Sequence, residues 1–147
     1  MAKRARRKSS AAIRKVAHLM RKLDLCMMTT RGSRGGMRAR PMSNNGEVEF
    51  DGDVWFFSEA RARKVRDIEA EPTVHLSYID LKRWLFISMT GRAVIVKDVE
   101  KKNALWLDEL ERWFKKGPES ESIVLIKVTP TLVAYWSKTG EGEISLR

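Results

Sequence analysis

Asp51-Gly52 stands between two short β-rich runs, Val48–Phe50 and Val54–Ser58. A two-residue turn between paired strands needs positive φ at its centre, and Asp-Gly is among the pairs that tolerate it best. The spacing therefore predicts a tight hairpin. Asn44-Asn45-Gly46 marks a second turn just upstream. A chain so punctuated favours antiparallel pairing over long crossovers.

The rest of the chain extends that pattern. Ile13, Val16, Ala17, Met20 and Leu23 recur at helical spacing behind Ser9 and Ser10, which predicts an amphipathic helix over residues 10–23 with a basic outer face. Leu25–Thr30 reads as a strand buried on both faces. Gly32–Gly36 is a loop, and Met37–Met42 begins a second strand. Residues 61–70 form a short helix, stopped at Glu71-Pro72 because the residue before proline leaves the helical region. Thr73–Ile79 alternates as a strand, and Trp84–Met89 with Arg92–Lys97 form one long strand bent near Gly91. Val99, Asn103, Trp106, Leu110, Trp113 and Phe114 predict a long helix over 99–115. Ser122–Val128 and Leu132–Trp136 are strands split by Pro130, and the tail from Gly140 is polar and loose. With the shortest runs counted together with their neighbours, about six strands and three helices result. The helices are too few to cross between parallel strands, so the expected fold is mainly β (α+β), an antiparallel barrel with helices packed outside.

Charge is concentrated at one end. Of the 29 Lys and Arg, nine fall within residues 1–22, where there is no acid, and the other 20 face 19 Asp and Glu. Residues 1–9 are expected to be a disordered basic arm and residues 10–147 a single domain. Lys3–Lys8 could draw a weak polyanion contact, so a nucleic-acid or polyanion-binding function is the alternative to the one developed below. No apolar segment follows the basic residues as in a signal peptide, and no run is long enough to span a bilayer. The single Cys26 cannot form an internal disulfide; it is expected to be a small core residue in a reducing cytoplasm. With only two histidines besides, no metal site of usual spacing is expected.

The chain lacks Gly-x-Ser-x-Gly, a phosphate loop and any obvious acid–base pair, so no catalytic residues can be assigned and a cofactor would have to supply the chemistry. Arg38 to Lys64 is where one could bind. Arg38, Arg40 and Met42 share a strand face, and positive charges there are costly unless an anion answers them. Ser58 ends the next strand, and Arg63 and Lys64 lie in the first turn of the following helix, whose free amides also favour an anion.

The same residues carry a resemblance. Met28-Thr29-Thr30, Arg40-Pro41-Met42, Trp55-Phe56-Phe57-Ser58, Arg63-Lys64-Val65, Glu71-Pro72-Thr73-Val74, Ser88–Ala93, Leu105-Trp106, Trp113–Pro118 and Ala134-Tyr135-Trp136 follow one another as in the FMN-binding split-barrel family related to pyridoxamine 5′-phosphate oxidase. The chain most resembles the general-stress-protein branch, over roughly residues 10–137. The resemblance implies a six-stranded Greek-key split barrel and a cytoplasmic homodimer with FMN at the subunit interface. Arg40, Pro41 and Met42 would line the flavin, and Ser58, Arg63 and Lys64 would hold its phosphate with Phe57 beside it. From the partner subunit, Phe86 and Ile87 would approach the ring and Trp136 would cover it, with Trp106 and Trp113 as further candidates. The activity implied is that of an FMN-dependent oxidoreductase of undefined substrate, with a reduced nicotinamide as candidate donor. Related barrels as a group also accept deazaflavin or haem. Two departures stand out. Ala62 replaces a serine common at the phosphate, and nothing after Trp136 supplies the Arg-x-His-x-x-Arg-like grip on pyridoxal phosphate, so this is not expected to be a true pyridoxamine 5′-phosphate oxidase.

Overall fold

The computed structural model describes residues 2–146, with side chains from residue 11 onward, so the basic arm expected over 1–9 lies outside the described side chains. Helix α1 spans Ala2–Met20, so the helix expected over 10–23 starts earlier and stops sooner. Strands β1 (Leu25–Arg31), β2 (Met37–Ser43) and β3 (Val54–Glu59) follow, then α2 (Arg63–Ala70), β4 (Thr73–Asp80) and β5 (Leu85–Val96). After them come α3 (Val99–Leu105), a 3-10 turn at Asp108–Arg112, β6 (Ile123–Ser137) and β7 (Gly140–Ser145). The strands form one antiparallel sheet in the order β2-β1-β4-β5-β6-β3, with β7 also on β6. It curls around the core without closing, since β2 and β3 stand at opposite ends of that order and do not pair.

Mainly antiparallel β structure with flanking helices agrees with the sequence; several details do not. The Asp51-Gly52 hairpin does not form. Residues 48–50 are not a strand, and β3 pairs with β6 instead, Val54 opposite Val128 and Ser58 opposite Val124. The reason is burial: Phe50 enters the core, and the segment crosses from one end of the strand order to the other. Asn44 anchors the crossing. Its Nδ2 donates to the Leu23 carbonyl and its Oδ1 accepts from the Tyr78 hydroxyl at 2.8 Å. The glycine turns thus serve a crossing loop.

β6 is one strand of 15 residues where two were expected. Pro130 is accommodated because the ladder to β5 shifts register between Thr90 and Gly91, which leaves Thr131 as the extra residue. Gly91 is the other half of that device. A Cβ there would stand 2.8 Å from the Thr129 carbonyl oxygen and 3.1 Å from Pro130 Cα. Both are backbone atoms and cannot give way, so Gly91→Ala should lower stability by about 1–3 kcal/mol. Urea unfolding would check this; an unchanged midpoint would show that the bulge yields freely.

The tail from Gly140 is β7, a seventh strand where six were expected, because β6 runs past the core and offers it a partner edge. The helix expected over 99–115 stops at Leu105. Trp106 takes an extended conformation and turns its ring onto Phe57, edge to face at 5.2 Å. That aromatic contact outweighs continued helix.

Nor is β1 buried on both faces. Cys26, Met28 and Thr30 point inward, whereas Leu25 and Met27 lie 69% and 44% exposed. Cys26 is a core residue as expected; burial pushes its thiol up to about 12, a hydrogen bond with Tyr78 notwithstanding. Among the described residues no helix is long and apolar enough to cross a membrane, and no group of three or more potential ligands could hold a metal ion.

Candidate functional site

The site is built where β2 and the start of α2 meet. α2 packs against β1 and β5 through its buried face, which carries Val65, Asp67 and Ile68. An acid on that face needs partners, and β1 and β2 provide them. Asp67 Oδ2 accepts from Thr30 Oγ1 at 2.9 Å, and Arg38 Nη2 donates to both carboxylate oxygens at 3.0 and 3.2 Å. Arg40 donates through Nη1 to Thr30 Oγ1 at 2.8 Å and to the Met28 carbonyl, with its Nη2 at 3.9 Å from Asp67. The anion that answers Arg38 and Arg40 is thus internal.

Burial alone would raise the Asp67 carboxyl. Hydrogen bonds from Thr30 and Arg38, with the charges of both arginines, bring it below its ordinary 3.8. Asp67 therefore stabilises the fold fully above its unfolded value, and that stabilisation is lost as pH falls through the lower folded value. Asp67→Asn should cost roughly 2–4 kcal/mol at neutral pH. The deficit should shrink as pH drops below the usual carboxylate range. Thermal unfolding across pH tests this; a deficit constant with pH would remove the ionised carboxylate from the account.

Lys64 differs from the arginines. It is partly buried and, among the described residues, has no hydrogen bond or ion pair. Burial lowers its ammonium from the ordinary 10.5, the charge of Arg40 lowers it further, and Glu59 opposes both. Arg63 beside it is exposed. Both open α2 behind Ala62, an N-cap residue that supplies no side-chain hydrogen bond. The Arg63 and Lys64 amides and two cations, one of them partly desolvated, make a site suited to a phosphate; the Val65 amide already donates to the Ala62 carbonyl.

The other expected residues separate into two groups. Met42 and Ile87 turn into the core at 9% and 2% exposure, so their side chains are withdrawn from any ligand. Ser58 is also buried, and its hydroxyl donates to the adjacent Glu59 carbonyl. Phe57 packs with Trp106 and Phe114, while Trp113 is largely exposed. Pro41, Phe86 and Trp136 share the outer face of the sheet with Met27 and Ile79. β1 and β4 lie between Pro41 and Phe86, so one chain does not bring them together. A groove of about 490 Å³ between α1 and the crossing loop is lined by none of the expected residues.

Asp67 was missed by sequence reasoning. Its signal was present: an acid between Val65 and Ile68 on the apolar face of a basic helix.

Seven antiparallel strands curled around one core, left open between β2 and β3 and braced by α2, define a protein of the split-barrel class. The family model described as pyridoxamine 5′-phosphate oxidase like matches residues 11–146, and the chain belongs to that family. General stress protein 26 of Bacillus subtilis (strain 168) is 32% identical over 114 residues, which cover 74% of this chain and 80% of that protein. Among solved structures, the General Stress Protein 26 from Bacillus anthracis str. Sterne superposes with a TM-score of 0.73 at 22% identity, covering 92% of this chain and 96% of that one. An F420 reductase superposes with a TM-score of 0.61 at 24% identity, covering 81% and 94%. At these identities the solved structures speak to the fold.

Proposed function

We propose that this chain binds FMN between two copies of itself and serves as a flavin-dependent oxidoreductase of the general-stress type, with a reduced nicotinamide as donor. The observation that carries it is Lys64, a partly buried cation with no partner among the described residues, at the uncapped start of α2. With the Arg63 side chain and the Arg63 and Lys64 amides it would hold the phosphate. Ala62 leaves that helix end open to a ligand, so the lost serine does not close the site. Pro41 would meet the ring at the sheet edge. The cofactor supplies the electron transfer; the protein binds it, orients it and excludes water.

The second copy has a surface to use. Leu25, Met27, Ile79 and Trp136 are 69%, 44%, 61% and 45% exposed on one face of one sheet. Apolar exposure so concentrated marks an interaction face. Across it, the partner's Phe86 and Trp136 could reach the flavin that the first chain anchors.

Purified protein should be yellow and release FMN on denaturation. A colourless protein that leaves the fluorescence of added FMN unquenched would sink the proposal, and quenching by coenzyme F420 alone would move it to a deazaflavin. Met27→Glu with Ile79→Glu should turn a dimer into a monomer in sedimentation and weaken FMN at least tenfold. A variant that stays dimeric would exclude this face.

A further inference from the structure

Thr30, Arg38, Arg40 and Asp67 form a polar cluster unlike the open cations at the helix start. Asp67 is 5% exposed and Thr30 is 1% exposed. The Thr30 hydroxyl accepts from Arg40 and donates to Asp67, so a single oxygen links cation to anion. Arg40 spends its Nη1 donors on Thr30 and the Met28 carbonyl, and Arg38 directs Nη2 at the carboxylate. Gly32 leaves room for this: a Cβ there would stand 2.8 Å from Arg38 Nη2. The arginines are pinned to β1 and α2, with their charge partly cancelled before any ligand arrives. Yet Arg40 precedes Pro41 in the edge strand beside which the flavin is proposed to lie.

We propose that Asp67 is a positioning residue that fixes Arg38 and Arg40 and, by offsetting their charge, sets the reduction potential of the bound flavin. This rests on the proposed function above. Two-electron reduction of FMN with uptake of one proton adds one negative charge to the cofactor, while the donor, a reduced nicotinamide or dithionite in an assay, is oxidised. Cations nearby favour the reduced form and raise the potential; an anion lowers it. The partly buried cluster makes such effects larger than in water.

The test is a potentiometric titration of flavin-loaded wild type, Asp67→Asn and Arg38→Gln. Asp67→Asn removes the anion, so the preference for reduced over oxidised FMN should rise about tenfold, about +30 mV for a two-electron couple. Arg38→Gln removes a cation from a side chain 43% exposed, so it should fold, and the potential should fall. A merely structural role would change stability or FMN affinity but would not move the potential in opposite directions. Potentials that stay put, or move the same way, overturn the inference while leaving FMN binding intact. If Asp67→Asn does not fold, the sign of the Arg38→Gln shift decides: a fall supports the role, and no change overturns it. A wild type that takes up no flavin removes the proposed function and this inference together.

Discussion

The Arg63→Ala/Lys64→Ala double variant is expected to bind FMN about 10²–10⁴-fold more weakly than the parent chain. Each side chain would make a charge-assisted contact to phosphate, and such contacts contribute about 1.5–3 kcal/mol apiece. Lys64 should account for the larger part. Its ammonium is already partly desolvated, so an anion there meets less competition from water. The fold should hardly notice, because neither side chain makes a described ion pair and both open a helix anchored by Val65 and Ile68. Fluorescence titration of FMN beside thermal unfolding separates the two effects. Equal FMN affinity in the double variant would remove the phosphate from this end of α2. A large loss of stability without a change in affinity would give the residues a structural role.

The second large effect lies away from the site. Lys102 is 1% exposed, and its Nζ donates to the carbonyls of Ser120 at 3.0 Å and Ile123 at 2.9 Å. No carboxylate contacts it among the described residues; the ammonium serves as a clasp that ties α3 to the start of β6. Lys102→Ala would strand both carbonyls and open a cavity, at a cost of about 3–4 kcal/mol. For a chain of this size that is roughly a 10 °C fall in Tm. Lys102→Met should recover the packing part of the loss but not the hydrogen bonds. Calorimetry of the two variants tests the division; a Met variant as stable as the parent would show that the charge contributes nothing.

Strand positions were legible wherever a single face decided them. β2, β4 and β5 lie close to where strand-forming runs and turn residues put them, and β1 lies close to its expected position although its alternating burial was not foreseen. The failures share a cause. Asp51-Gly52 has the chemistry of a hairpin, but whether Val48–Phe50 pairs with β3 depends on what else β3 can reach, and β6 arrives from nearly 70 residues downstream. The tail from Gly140 looks loose until β6 offers it an edge. The helical pattern after Val99 is genuine in Val99–Leu105, yet Trp106 has a distant partner in Phe57 that the helix cannot satisfy.

The site divides in the same way. Arg40, Arg63 and Lys64 could be singled out from sequence because their chemistry is concentrated locally, whereas Pro41 was implied by the family resemblance. Ser58 was expected at the phosphate from its place at a strand end, but the direction of a hydroxyl there depends on burial, and here it turns to the Glu59 carbonyl. The resemblance implied Ile87 together with Phe86 at the ring, but adjacent residues of a strand face opposite ways, and Ile87 turns into the core.

What the sequence determined by itself was a mainly antiparallel β chain with a basic helix start suited to phosphate, for these follow from local periodicity and residue chemistry. The tertiary structure decided which cations remain open to a ligand. Asp67 lies on α2 while Arg38 and Arg40 lie on β2, and only the packing of that helix against β1 brings the carboxylate within hydrogen-bond distance of Arg38 and close to Arg40. Electrostatic interaction depends on distance in space, which the order of residues along a chain does not record. Two arginines that look like ligand-binding groups are therefore held by the protein, and Lys64 is left without an ion-pair partner among the described residues.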